Sequence, residues 1–260
     1  MIRQGESLVK DSTKSNIYYN PDLKQINFLD RRVYKRDEGV YYPSVTTILQ
    51  YLPKNKFFES WLKDVGYNAD VIMQRAAKEG TQVHQAIETL VEGGEISWMD
   101  EFGNAKYSQI VWDMIIRFHE FWTTYKPTLL STEQFVFSDE HKYAGTADLV
   151  VELNGEIWLL DIKTSNSLHK SYDLQLAAYA KAFKECKDID IQRTGILWLK
   201  ANTRSASKKE GVYQGDGWQV KVIDEIDYNF DLFKTVYKLY EIDNPTTEPI
   251  YTSYPTSIKL

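Results

Sequence analysis

Cysteine is almost absent from this chain: Cys186 is the single example in 260 residues. No intrachain disulfide can form, and no four-cysteine metal cluster or zinc ribbon can be built. Long apolar runs are missing as well. None approaches the roughly 20 residues that a helix needs to cross a bilayer. The N-terminus lacks the apolar stretch of a signal peptide, so the expectation is an intracellular, reducing, cytoplasmic setting with no membrane partner. Excess positive charge is missing too. The formal net charge is −6, which argues against a uniformly basic nucleic-acid surface but leaves local patches open. Internal repeats and low-complexity tracts are not found.

What is present reads as ordinary globular protein, with 43% apolar and 26% charged residues. The length suits one large domain, or a compact core carrying a helical insertion. Tyr (18) and Trp (7) are numerous. Aromatics fill cores first, and they also stack on bases. Basic residues gather at Arg31, Arg32, Lys35 and Arg36, at Lys54, Lys56 and Lys63, and at Lys200, Arg204, Lys208 and Lys209. Each group reads as a solvated face unless the fold brings it to a site.

The periodicity divides the chain. Residues 1–42 are polar and Tyr-rich, with strand-like pieces at Lys24–Leu29 and Val33–Tyr34. Ser44 is placed to cap a short helix through Leu49, which Pro53 ends. Residues 55–125 are mostly helical: Phe57, Phe58, Trp61, Leu62 and Val65 recur at helical spacing, then Val71 to Val91, then Trp112, Ile115, Ile116, His119 and Trp122 up to Pro127. After that the period shortens. Strands are expected at Thr132–Phe137, Tyr143–Leu153, Glu156–Lys163, Thr194–Leu199 and Trp218–Ile223. Helices are expected at 171–186, capped by Ser171, and at Asp224–Ile242. This order predicts an α/β fold, a mixed sheet flanked by helices, with 171–186 as the crossover between parallel strands.

The chemistry sits on the hairpin. Asn154-Gly155 is the strongest short-range hairpin signal. If these are the loop residues, Leu153 faces Glu156, and five rungs further out Asp148 faces Asp161. That rung is of the non-hydrogen-bonded kind, where Cβ atoms lie roughly 4.5–5.5 Å apart. Lys163, two residues beyond Asp161, points to the same face, while Leu149, Val151, Trp158, Leu160 and Ile162 make the opposite face wholly apolar. Like charges directly opposed on a hairpin are destabilising. A hard divalent cation with oxygen ligands offsets that repulsion, and Mg²⁺ would leave positions for phosphate oxygens. Lys163 beside it would orient the attacking water or stabilise charge developing on phosphorus. The competing reading is a solvated strand face with a chance Asp-x-Lys.

At these residues a family resemblance appears. Gly145-Thr-Ala-Asp148, Asp161-Ile162-Lys163-Thr164-Ser165 and Gln175-Leu-Ala-Ala-Tyr179 follow Gly80-Thr-Gln-Val-His84 in order. Together they resemble the RecB-type branch of the PD-(D/E)XK nuclease superfamily. Tyr42-Pro-Ser-Val-Thr-Thr-Ile-Leu49 further resembles the mitochondrial genome maintenance exonuclease group and its phage and bacterial relatives. The resemblance covers roughly residues 40–200. It implies a restriction-endonuclease-like core and Mg²⁺, with Mn²⁺ as substitute. It implies Asp148, Asp161, the Ile162 carbonyl and His84 as metal ligands, and Lys163 as the catalytic lysine. Gln175, Tyr179, Thr164 and Ser165 would face the substrate. Ala147 stands where the superfamily's naming proline would be, and the cysteines that hold an iron–sulfur cluster in CRISPR-associated relatives are absent.

Other residues carry two readings each. His84 flanks the stripe Val83, Ile87, Leu90 and Val91, one turn from Gly80 and from Glu88; it is a half-buried His paired with Glu88, or a metal ligand. Glu133 either faces the metal or is an exposed strand residue. His119 reads as packed on its helix, His141 as a turn residue and His169 as a loop residue. Gln175 shares a helix side with Tyr172 and Tyr179, which suits a group organising water or phosphate as well as a surface Gln. Phe57, Phe58 and Trp61 beside Lys54 and Lys56 suit single-strand binding or core packing.

The expectation is therefore a metal-dependent DNA exonuclease acting on single strands with a free end, in replication, recombination or repair in a bacterial or phage-infected cell. Residues 1–54 would be an extension packed on the core, 55–130 a helical region arching over the site, 131–243 the nuclease core and 244–260 a tail. A structure-specific or double-strand nuclease is the alternative within the class. A non-catalytic DNA-binding recombination partner, or another phosphoester hydrolase, stands outside it.

Overall fold

The computed structural model describes residues 17–20, 25–28, 31–54 and 56–248. The ends of the first sequence-read strand, Lys24 and Leu29, lie outside them, as does the tail after residue 248. Near the N-terminus, β1 (Ile17–Asn20), β2 (Gln25–Phe28), β3 (Arg31–Asp37) and β4 (Val40–Pro43) form an antiparallel meander. Ser44 then caps α1 (Val45–Leu49), its Oγ accepting from the Thr47 N–H at 2.9 Å. Helices α2 (Lys56–Val65), α3 (Ala69–Val91) and α4 (Gln109–Tyr125) follow. Helix α4 ends at Lys126, which adopts a left-handed φ of 47° just before Pro127.

The second sheet holds β5 (Thr128–Ser138), β6 (Tyr143–Leu153) and β7 (Glu156–Lys163). Helix α5 (Lys170–Lys187) crosses over to β8 (Arg193–Trp198), and β9 (Gln214–Gly215), β10 (Trp218–Ile223) and α6 (Ile226–Asp243) complete the order. The strand order is β5-β6-β7-β8-β10-β9. Only the β7–β8 pair is parallel, as the crossover by α5 requires. Strands β6 and β7 have the bounds read from the sequence. Their loop residues Asn154 and Gly155 have φ of 55° and 79°, the backbone a two-residue hairpin demands.

Helices cover both faces of this sheet. Against α1, α5 and α6 pack Tyr143, Ala147, Val150, Leu159 and Ile196. Against α3 and α4 pack Leu149, Val151, Trp158, Leu160 and Ile162, with Val83, Ile87 and Phe118. Each Val, Leu, Ile and Phe among them contributes about 1.5–3 kcal/mol by leaving water, which sets which way the hairpin faces. The meander is tied to the large sheet by a Ser44–Ala144 bridge, by Tyr34 Oη to Thr146 Oγ1 at 3.0 Å and by the two-pronged Arg36–Asp139 pair. Among the described residues, no helix is long and apolar enough to cross a membrane.

Two expectations are corrected, and one left open is narrowed. Helix α5 begins at Lys170, with His169 at the cap position and no side-chain cap, so Ser171 lies inside the first turn. Helix α4 buries Val111, Met114, Ile115, Phe118 and Phe121, whereas Ile116 and His119 are exposed. Two apolar stripes run along that helix, and periodicity alone does not say which one the sheet takes. Helix α2 forms at the predicted spacing, yet none of its residues is fully buried.

Candidate active site

Strand β6 changes face at one residue. Tyr143 and Ala147 pack toward α5, and in a regular strand Leu149 would follow them. Instead Leu149 and Val151 pack toward α3 and α4, while Val150 has joined Ala147. The switch falls at Asp148. Strand β5 is irregular at the same level. Its pairs Thr132↔Leu149 and Gln134↔Ala147 bracket Glu133, which faces Asp148 with a left-handed φ of 44°.

The β6–β7 ladder keeps the predicted register from Leu153↔Glu156 to Leu149↔Leu160 and stops there. Asp148 and Asp161 would form the next rung. Rather than pairing main chain to main chain, the Asp148 carboxylate itself accepts the Ile162 N–H at 2.7 Å through Oδ2. The main-chain ladder thus ends one rung short of Asp148 and Asp161, and the Asp148 side chain takes the Ile162 N–H. Thr132 Oγ1 donates to the Asp148 carbonyl at 3.1 Å and holds the irregular segment from its other side.

Beside the Asp148 carboxylate α3 delivers His84. Its Nδ1 lies 3.7 Å from Asp148 Oδ2, too long for a direct hydrogen bond. Ligand atoms of His84, Glu133 and Asp148 all lie within 4.8 Å of one another. Gly80, one turn earlier, lets α3 approach: a Cβ there would sit 3.1 Å from Thr164 Oγ1. Asp161 is 2% exposed, and its Oδ2 meets Lys163 Nζ at 2.6 Å. Lys163 also lies 4.7 Å from the centre of the Tyr172 ring.

The electrostatics follow from crowding. Burial, with the Asp148 and Glu88 charges, pushes the Glu133 carboxyl up to about 8. Burial also raises Asp161, with Lys163 opposing and Asp148 reinforcing the shift. Burial disfavours the Lys163 ammonium, but Asp161 and Asp148 outweigh it and hold the proton on. The cluster therefore gathers more carboxylate than its one ammonium offsets. Imidazole nitrogen and carboxylate oxygen are also the donor types that divalent cations take at hydrolytic sites. The residues present fit a divalent cation.

The other sequence-read residues divide. Gln175 and Tyr179 are buried on α5, with Gln175 Nε2 donating to Tyr179 Oη at 3.4 Å. Burial holds the Tyr179 phenol protonated, aided by Tyr34, Asp161 and Asp148. Gly145 makes room for Tyr179, since a Cβ there would lie 2.3 Å from Tyr179 Cε1. Ser165 organises its loop: its Oγ donates to the Ser167 carbonyl and is met by Tyr172 Oη at 3.3 Å, and its carbonyl accepts from Trp198 Nε1. His141 stacks on Tyr143 and His169 packs edge-on to Tyr172. Glu133 is the residue that sequence reasoning left undecided. Its place on β5, the strand that precedes the one carrying Gly145–Asp148, was a signal, but its left-handed backbone was not readable.

Comparison with known proteins yields little. No family model matches the chain, and no curated protein matches it. A solved structure from Eubacterium rectale, named "Putative exonuclease", is 15% identical; the alignment covers 66% of this chain and 70% of that one, with a TM-score of 0.41.

Proposed function

We propose that the chain is a nuclease that uses a divalent cation, Mg²⁺ or Mn²⁺, to hydrolyse DNA phosphodiester bonds, removing nucleotides from single strands with a free end. One observation carries this reading: ligand atoms of His84, Glu133 and Asp148 lie within 4.8 Å of one another beside the buried Asp161–Lys163 pair. The motif resemblance supports it, and it supplies the exonuclease and single-strand details.

In this reading His84, Glu133, Asp148 and Asp161 hold the cation, with the Ile162 carbonyl as the further ligand that the resemblance implies. When bound, such an ion polarises a phosphate oxygen and lowers the pKa of water. The chain's own groups do the rest. Asp148, fixed by the Ile162 N–H, holds its carboxylate in place between β5 and β7. Lys163 keeps its proton beside Asp161 and so presents a fixed positive charge to a phosphoryl group or to the attacking water. Buried Gln175 and Tyr179 position polar atoms at the same end of the sheet, and Thr164 lies where the strand leaves it. In this reading the helical region would arch over the site; the lack of any fully buried residue on α2 suits a segment that meets substrate rather than core.

The test is digestion of end-labelled single- and double-stranded oligonucleotides, linear and circular, with Mg²⁺ or with EDTA. Loss of linear single strands, sparing of circles and silence in EDTA are the expected outcome. Cutting of closed circles would remove the exonuclease part and leave an endonuclease. Inertness toward every DNA with Mg²⁺ and with Mn²⁺ would remove the whole reading.

A further inference from the structure

Tyr172, over whose ring Lys163 Nζ lies at 4.7 Å, also lines a cavity of about 440 Å³. That is the size of pockets that take small organic ligands, roughly 300–1,000 Å³. Three segments wall it: Leu52 and Pro53 after α1, Phe58 on α2, and Leu168 to Tyr172 at the start of α5. Its character is mixed. The walls are apolar and aromatic, while Lys54, His169 and Ser171 contribute polar and cationic groups. Lys54 is exposed and makes no ion pair among the described residues, whereas the Lys170 ammonium is already held by Asp173 and Asn229.

Helix α2 gives the cavity its meaning. Its apolar residues recur at helical spacing, and Phe58 stacks on Trp61 at 5.7 Å, yet the helix buries nothing completely. A face of this kind contributes little to the core. Its Phe58 instead lines a cavity that Tyr172, the ring Lys163 touches, also lines. Aromatic walls with a free ammonium nearby suit a flat heteroaromatic base that carries a phosphate.

We infer that this cavity binds one unpaired nucleotide of the substrate strand, its base against Phe58 and Tyr172 and a neighbouring phosphate near Lys54. The inference rests on the nuclease reading and adds a reason for strand selection. A base within a duplex is stacked and paired, so an unpaired one enters at the lowest cost.

The experiment uses single-stranded oligonucleotides carrying 2-aminopurine at one position each, titrated with the full chain in EDTA, where no strand is cut. One position should lose its fluorescence on binding, and the same oligonucleotide as a duplex should not. Phe58→Ala and Lys54→Glu, both at positions outside the core, should weaken binding by roughly ten-fold, and Phe58→Ala should restore the fluorescence. No quenched position, quenching unchanged in Phe58→Ala, or equal quenching in the duplex would each overturn the inference. Cleavage of the same oligonucleotides with Mg²⁺, followed in parallel, separates the two readings. Cleavage without quenching removes the pocket alone, and quenching without cleavage removes the hydrolase alone.

Discussion

The Asp148 carboxylate accepts the main-chain N–H of Ile162 at 2.7 Å, so a side chain of β6 occupies the place where β7 would otherwise find a main-chain partner. Two roles are thereby joined in one residue. The carboxylate closes the end of the ladder, and its charge faces His84 and Glu133.

Replacing Asp148 separates those roles. Asp148→Asn keeps an oxygen for the Ile162 N–H and loses the charge. Its melting temperature should stay close to that of the parent, while Mn²⁺ affinity, read by the electron paramagnetic resonance of free Mn²⁺, should fall by at least about ten-fold. Asp148→Ala loses both, leaves the N–H unmet and should cost about 1–3 kcal/mol more. Equal Mn²⁺ binding by the parent and the Asn variant would exclude Asp148 as a ligand.

Lys163→Met should lower strand cleavage by about 10²–10³-fold, the usual loss when one fixed charge-stabilising donor is removed. It also leaves Asp161 buried without its ammonium. Asp161 then takes up a proton, and the metal-free protein should lose about 1–3 kcal/mol in urea denaturation. Unaltered cleavage would dismiss Lys163 from the chemistry, whatever the stability.

Glu133 predicts a pH dependence. Its carboxyl is raised from 4.5 to about 8, by burial first and then by Asp148 and Glu88. The folded state binds this proton more tightly than the unfolded chain does. The stabilisation is therefore complete below about 4.5 and is lost as pH rises through about 8. In EDTA the melting temperature should fall across this interval more steeply for the parent than for Glu133→Gln. Added Mg²⁺ favours the ionised carboxylate and should reduce the fall. Parallel curves for parent and variant in EDTA would place Glu133 outside the charge cluster.

Gly145→Ala places a methyl group 2.3 Å from Tyr179 Cε1. The overpacking should cost about 1–3 kcal/mol, and Tyr179→Leu in the same chain should recover part of it. Additive losses in urea midpoints would show that the two residues do not press on one another.

Much of the hairpin was legible because its determinants are local. Asn154-Gly155 supplies two left-handed residues, the alternation of Leu149, Val151, Leu160 and Ile162 declares the apolar face, and Ser44 announces its own cap. Such signals act within a few residues and need no knowledge of the rest of the fold. The switch of face at Asp148 was not legible, since alternation assumes a regular pleat and the irregularity arises where β5, β6 and β7 meet. Glu133 entered the cluster for the same reason: its φ of 44° falls between the pairs Thr132↔Leu149 and Gln134↔Ala147, made with a strand that begins ten residues later. Nor could periodicity tell that α4 buries its Phe118 stripe or that α2 buries none of its aromatics, because an apolar face names no partner. The sequence by itself determined the hairpin strands β6 and β7, the tight turn and the acidic and basic residues brought near each other by it, whereas β1, β4 and β9 carried no periodic signal of their own. Only the tertiary structure decided which carboxylates converge, since convergence depends on long-range packing of α3 and β5 against the end of the β6–β7 ladder.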